Sequence, residues 1–228
     1  MNIKQLIGEN TSFVFVGEAG SGKSEVALNF ALWLQALGEK PVHFFDLDMT
    51  KPLFRSRDLD EELRQAGVNV HFQEQFMDAP TLVGGVRRSL KDAAVFTVLD
   101  VGGDHIGARS VGGFASELNR EGSLAFYVLN VFRPWSARLE HIDETMGKIL
   151  GVSRIAPEKL NIINNPNQGY QTTLEEFLAG SRQFEQLLGP DIKPCFSTAR
   201  REVYDLLDEA ARASVFPLRL FIDYDWND

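Results

Sequence analysis

Eight residues constrain this chain more than any others: Gly17-Glu18-Ala19-Gly20-Ser21-Gly22-Lys23-Ser24. They follow an apolar run of β-branched and aromatic residues, Phe13-Val14-Phe15-Val16, and they open a long helical pattern that starts near Ser24. A strand, a glycine-rich turn and a helix in that order make an anion pocket. Backbone N–H groups turn inward, and the helix N-terminus adds about half a positive charge. In this setting Lys23 is placed to reach the β- and γ-phosphates of a nucleoside triphosphate, and the Ser24 hydroxyl to ligate Mg²⁺. The expected nucleotide contacts are Gly17, Gly20, Ser21, Gly22, Lys23, Ser24 and Glu25.

Beyond the loop, strand and helix patterns alternate. Strands are expected over about 13–17, at Pro41–Asp46, Val68–Phe72, Ala94–Leu99, Leu124–Leu129 and Leu160–Ile163, then at 192–197 and 217–222. Helices are expected over 22–37, 57–66, 80–92 (from Pro80), 110–121, 173–188 and 200–213, with another carrying Leu139, Ile142, Met146, Ile149 and Leu150 on one face. The first helix is apolar nearly all round, as a buried helix is. Continuous apolar strands separated by helices predict an α/β fold, a doubly wound and mainly parallel sheet with helices on both faces. No proline-, glycine- or serine-rich linker divides the 228 residues, so one nucleotide-binding domain over 1–228 is expected.

Charge and cysteine content exclude several functions. The net charge is −9 and no block of five basic residues occurs, which disfavours nucleic acid and anionic membrane surfaces as partners. No signal-peptide pattern and no run of about 18 apolar residues is present, so a cytoplasmic protein is expected. Cys195 is the only cysteine, which rules out internal disulfides and reads as a small core residue. Histidines 43, 71, 105 and 141 show no ligand spacing, and the 17 phenylalanines read as core. Phe132, Trp135 and Tyr170 near loop ends could stack on a base or a partner, although surface packing explains them as well.

Ligands on doubly wound sheets sit beyond the carboxyl ends of the strands. After the second strand comes Asp46-Leu47-Asp48, and after the run 94–99 comes Asp100-Val101-Gly102-Gly103. A carboxylate at the Asp100 position takes a water of the Mg²⁺ shell, and a following glycine N–H can meet the γ-phosphate. Asp46 or Asp48 can instead satisfy backbone donors in the turn. Asn164-Asn165-Pro166-Asn167 follows the strand at 160–163 and fits a plain turn as well as a base-recognition site.

The order GxxxxGKS, strand ending in DxD, strand ending in DxGG, Val131-Phe132-Arg133-Pro134-Trp135-Ser136, and Asn after a late strand resembles the MinD/ParA/nitrogenase-iron-protein (SIMIBI) class of P-loop ATPases, the CobQ/CobB/MinD/ParA-like nucleotide-binding domain. The resemblance implies ATP and Mg²⁺ as ligands. It implies that Asp48 positions the attacking water, that Asp46 lies near the Mg²⁺ shell and that Asp100 is the Walker B aspartate. The expected metal set is thus Ser24, Asp46, Asp48 and Asp100, partly through water, and the expected catalytic set Lys23, Asp48 and Asp100. Asn164 or Asn165 matches the asparagine that faces the base, and the lack of a carboxylate near it favours adenine over guanine.

Two departures from that class stand out. Glu18 occupies the place of the lysine that MinD and ParA use across an ATP-bound dimer, so a homodimer of that kind is left open. Lys51, Arg55, Arg57 or Arg109 could supply the missing charge, although a solvated surface charge explains each of them as well. A lone cysteine excludes an iron–sulfur cluster, and the acidic end Asp223–Asp228 carries no membrane helix. The leading expectation is an ATPase that acts as a nucleotide-controlled switch for an unknown protein partner. The alternatives are a small-molecule kinase or ATP-dependent ligase, and a non-hydrolysing nucleotide-binding adaptor.

Overall fold

Side chains alternate along the first strand, so Phe13 and Phe15 face one side of the sheet and Val14 and Val16 the other. Both sides are buried, and the same two-faced burial recurs in the neighbouring strands. The computed structural model describes residues 3–48, 57–71, 85–103 and 105–221, with only the backbone for Arg57, Asp58, His105 and Ile106. In chain order the elements are α1 (Ile3–Ile7), β1 (Ser12–Gly17), α2 (Lys23–Leu37), β2 (Val42–Asp46), α3 (Arg57–Gln65) and β3 (Asn69–His71). Then follow α4 (Val86–Lys91), β4 (Phe96–Asp100), α5 (His105–Gly112), α6 (Ala115–Leu118), β5 (Ser123–Leu129) and α7 (Leu139–Ser153). The last are β6 (Leu160–Asn164), α8 (Leu174–Leu188), β7 (Phe196–Arg200), α9 (Arg201–Tyr204), α10 (Glu209–Arg212) and β8 (Val215–Leu218).

Eight strands form one sheet in the order β3-β2-β4-β1-β5-β6-β7-β8, and every pair is parallel. The expected doubly wound sheet is present. On one face, α2 and α3 cover a core rich in rings: Phe30 meets Phe13, Phe15 and Phe126 at centroid distances of 5.0, 5.3 and 5.7 Å. Each such buried ring contributes about 1.5–3 kcal/mol. On the other face, α4–α8 bury Val86, Val111, Leu118, Ile142 and Phe184 against Val14, Leu99 and Tyr127. Chain entry and exit are well marked at two helices. Gly38 caps α2 in the left-handed region, and Thr173 with Glu176 closes a capping box on α8.

The second half of the chain departs from the sequence pattern at several points. The helix expected over 110–121 is broken into α5 and α6 at Gly113-Phe114, and Phe114 is buried where the chain turns. The helix expected over 200–213 is likewise two short helices, because Asp208 starts a new one by accepting the Ala211 N–H at 2.8 Å. The strand expected over 192–197 lies at Phe196–Arg200 instead. The last strand ends at Leu218, before the expected 222, because the next residues leave the sheet to bind α2: Asn29 Nδ2 donates to Arg219 O and the Arg219 N–H donates to Asn29 Oδ1, both at 2.8 Å. Leu139, expected on the buried face of α7, is 47% exposed, whereas Ile142 and Ile149 are buried. Pro80, the expected helix start, lies outside the described residues, as do Phe72 and Ile222. No helix among the described residues is long and apolar enough to cross a membrane.

Candidate functional site

The carboxyl ends of β1, β2, β4, β5, β6 and β7 lie at one edge of the sheet, and the residues just beyond them converge on the loop between β1 and α2. Gly22 precedes α2 with φ +85°, a conformation that side chains avoid. It must also be glycine for a second reason: a Cβ there would lie 2.3 Å from Asn165 Nδ2. The loop is closed further by the Ser21 N–H, which donates to Glu18 O at 3.1 Å. Lys23 is buried at the first position of α2, Ser24 is half-buried beside it, and the buried Ser21 hydroxyl has no hydrogen-bond partner among the described residues.

On one side of the loop stand carboxylates. Parallel pairing sets Asp46 of β2 opposite Asp100 of β4, and both are buried. Asp46 Oδ1 accepts the Asp48 N–H at 3.0 Å, so it satisfies a backbone donor in the turn. Asp100 is fully buried, and neither of its oxygens has a hydrogen bond of normal geometry. Burial pushes its pKa up to about 6; Lys23 and the nearby Ser24 hydroxyl hold it down, and Asp48 pushes it up further. Gly102 sits under Asp48, since a Cβ at 102 would be 3.4 Å from Asp48 Oδ1. Gly103 touches the loop itself: its Cβ would fall 2.7 Å from the Ala19 backbone. Lys23, Ser24 and Asp48 therefore lie close to Asp100.

On the other side stand amides. Asn165, expected at the base, is buried and donates from Nδ2 to Ser21 O at 2.7 Å, while its Oδ1 accepts the Thr198 hydroxyl at 2.6 Å. Asn164 is also buried, with Nδ2 near the Ser197 and Ser181 hydroxyls at 3.3 and 3.5 Å and with Oδ1 unpartnered. Asn130, beyond β5, donates to Asn167 O at 2.7 Å and accepts the Phe132 N–H at 3.1 Å. These bonds lock the β5, β6 and β7 ends to the loop. The Glu25 carboxylate accepts the Phe221 N–H at 2.8 Å, which ties the chain after β8 to the first turn of α2.

The candidate second cations fare differently. Lys51 and Arg55 lie outside the described residues, as does the side chain of Arg57. Arg109 is exposed on α5. Arg133, which no spacing argument singles out as a cation for the loop, donates from Nε to Gly20 O at 2.8 Å. Glu18 is partly buried, and burial raises its pKa. Cys195 packs against the ring-rich core, where burial pushes its thiol up to about 12. His43 and His71 also meet, Nδ1 to Nε2 at 2.8 Å, because β2 and β3 are neighbours; residues 28 apart gave no sequence signal of this. The side chain of His105 lies outside the described set.

An anion-shaped loop on β1 and a buried carboxylate on the adjacent β4 complete the architecture. The fold is that of a P-loop NTPase. It is similar to chloroplast FtsY from Physcomitrella patens (TM-score 0.55, 15% identity, 90% of this chain and 64% of that one). It is also similar to the signal recognition particle receptor FtsY from Elizabethkingia anophelis (TM-score 0.54, 14% identity, 90% and 63%). The chain thus spans a little under two thirds of those proteins' length. A weaker likeness is to a nucleotide-binding protein from Archaeoglobus fulgidus in complex with ADP (TM-score 0.48, 19% identity, 93% and 91%), too distant to bear on this chain's ligand. No family model and no curated protein sequence matches the chain. At 14–15% identity these likenesses show the fold, and they single out no MinD/ParA relative.

The donor set fits a divalent cation held partly by other ligands. Among the described residues no group of three or more His, Cys, Asp or Glu side chains converges to hold a metal by itself. Magnesium commonly takes only one or two carboxylates and completes its shell with water and phosphate oxygens. The buried Asp100 carboxylate and the nearby Ser24 hydroxyl suit that arrangement.

Proposed function

We propose that this protein is a Mg²⁺-dependent nucleotide-binding switch that takes ATP ahead of GTP and hydrolyses it slowly to change its hold on a protein partner. The observation that supports it most is Asp100: a fully buried carboxylate, beside a buried lysine and the Ser24 hydroxyl, whose oxygens have no hydrogen bond of normal geometry among the described residues, at the mouth of a phosphate-binding loop. Holding a carboxylate so poorly satisfied out of water costs several kcal/mol, a cost that a bound cation would offset. Magnesium would supply charge stabilisation for the phosphates. The chain's own part is to hold it through Ser24 and Asp100, to grip phosphate through Lys23 and the loop N–H groups, and to orient a water through Asp48. Phosphoryl transfer to water needs little beyond that positioning.

The preference for adenine rests on chemistry at the end of β6. A guanine edge offers two adjacent donors that a carboxylate accepts, and residues 164–173 contain no carboxylate. A cytoplasmic setting and a partner-controlled cycle complete the proposal. Calorimetric titration with Mg·ATP and Mg·GTP tests it. Wild type should bind ATP more tightly, and Lys23→Ala should lose binding by a hundredfold or more, as loss of a buried charge-assisted contact implies (about 1.5–3 kcal/mol per hydrogen bond, with the Coulomb attraction added). Equal binding by wild type and Lys23→Ala would overturn it.

A further inference from the structure

Within the loop 17–24, Lys23 is the only basic residue, and Glu18 adds a negative charge. A triphosphate with one Mg²⁺ keeps a net negative charge, which one lysine does not neutralise. Among the described residues, Arg133 is the cation outside the loop whose side chain bonds to it. It leaves β5 on the side of β1 opposite to Asp100, because β5 and β4 flank β1. Its backbone is fixed: the Arg133 N–H donates to Asn130 O at 3.0 Å, and the Ser136 N–H donates back to Arg133 O at 2.9 Å. Asn130 is itself buried and bonded to Asn167. From that base the guanidinium lies along Gly20, where a Cβ would sit 3.7 Å from Nε, and Nε donates to Gly20 O.

One of five guanidinium donors is used in this way. Among the described residues no hydrogen bond or ion pair engages the two terminal nitrogens. A half-buried arginine anchored at Nε, with its amino groups unpaired at the rim of an anion site, is preorganised for phosphate.

We infer that Arg133 supplies in cis the second positive charge for the nucleotide's phosphates, from the side of the loop opposite the metal. The inference rests on the nucleotide-binding reading above. It also assigns the role to a residue that needs no second copy of the chain, so a subunit-bridging lysine is not required for charge balance.

The test is fluorescence or calorimetric titration of full-length wild type, Arg133→Ala, Arg133→Gln and Arg133→Lys with ATP, in Mg²⁺ and in EDTA, at several salt concentrations. Thermal melts of each variant serve as the folding control. Glutamine keeps an N–H donor for Gly20 O and removes the charge; lysine keeps the charge. Loss of a charge-assisted phosphate contact should raise the dissociation constant about ten- to a hundredfold in alanine and glutamine, with or without Mg²⁺, and flatten the salt dependence. Lysine should restore most of the affinity. If glutamine binds like wild type, Arg133 only props the loop and the inference fails. If alanine binds like wild type, it fails outright. Absence of ATP binding by wild type overturns this inference and the nucleotide reading together, whereas wild-type binding unaffected at 133 overturns this one alone.

Discussion

The two flanks of the phosphate loop are built to opposite standards. On the β2–β4 flank, Asp100 is buried with neither oxygen in a hydrogen bond of normal geometry among the described residues, and Asp48 adds a second carboxylate close to it. On the β5–β7 flank, Asn130, Asn165, Asn167, Thr172 and Thr198 bond to one another and to the loop, with the Asn164 carbonyl oxygen the exception. Buried polar groups are normally satisfied, and those that are not mark places where something else binds. On the reading proposed above, the amide flank holds the loop in shape, and Asp100 on the acidic flank is the group that a ligand would engage.

The largest effect that would break this division is on chemistry. Asp48→Asn should cut single-turnover ATP hydrolysis by about two orders of magnitude while leaving ATP affinity nearly unchanged. A variant that hydrolyses at the wild-type rate would remove Asp48 from the reaction. If wild type instead transfers phosphate to a small acceptor, the switch reading gives way to the kinase reading.

The next effect sharpens the scaffold side. Gly22→Ala forces a positive φ on a residue with a side chain and drives its Cβ into Asn165 Nδ2, so it should destabilise the fold by about 2–4 kcal/mol in chemical denaturation. Asn165→Ala removes two bonds and leaves Ser21 O and the Thr198 hydroxyl without their partner, about 1–3 kcal/mol. The double variant should be less damaged than the sum, because removing the amide relieves the clash. Strict additivity would show that the two residues are not in contact.

Much of this was legible in the sequence where local and tertiary signals agree. The runs at β1, β2, β4, β5 and β6 are mostly apolar and flanked by turn residues, so their positions follow from pattern alone. The loop and Asp100 were legible for the same reason: each ends such a run. The region after Leu188 was not. Cys195-Phe196 reads as strand interior, but only the pairing of Cys195 N–H to Ile162 O at 2.8 Å fixes where β7 starts, and that contact is not local. The roles of Asn165 and Arg133 were hidden likewise. An asparagine is complementary to a base edge and to a backbone carbonyl alike, and only the position of Ser21 O shows which partner it has.

A smaller effect distinguishes the flanks by pH. The Asp100 pKa of about 6 in the fold exceeds its ordinary 3.8, so the native state holds a proton that the unfolded chain releases between those values. The ligand-free protein should therefore lose stability as pH rises from about 4 to about 6, on the order of 2–3 kcal/mol from this group, and the loss should be complete above that window. In Asp100→Asn this component should vanish, as read from denaturation midpoints at constant ionic strength. An unchanged pH profile in the variant would show that Asp100 is not the group that titrates.

The most direct test of the division between the flanks is the Mg²⁺ dependence of ATP binding in wild type, Asp100→Asn and Asn165→Ala, measured by calorimetry with and without EDTA. Wild type and Asn165→Ala should both bind ATP more tightly in Mg²⁺, the second with lower affinity throughout, whereas Asp100→Asn should lose the Mg²⁺ enhancement. An Asp100→Asn protein that keeps the full enhancement, or an Asn165→Ala protein that loses it, would contradict the account.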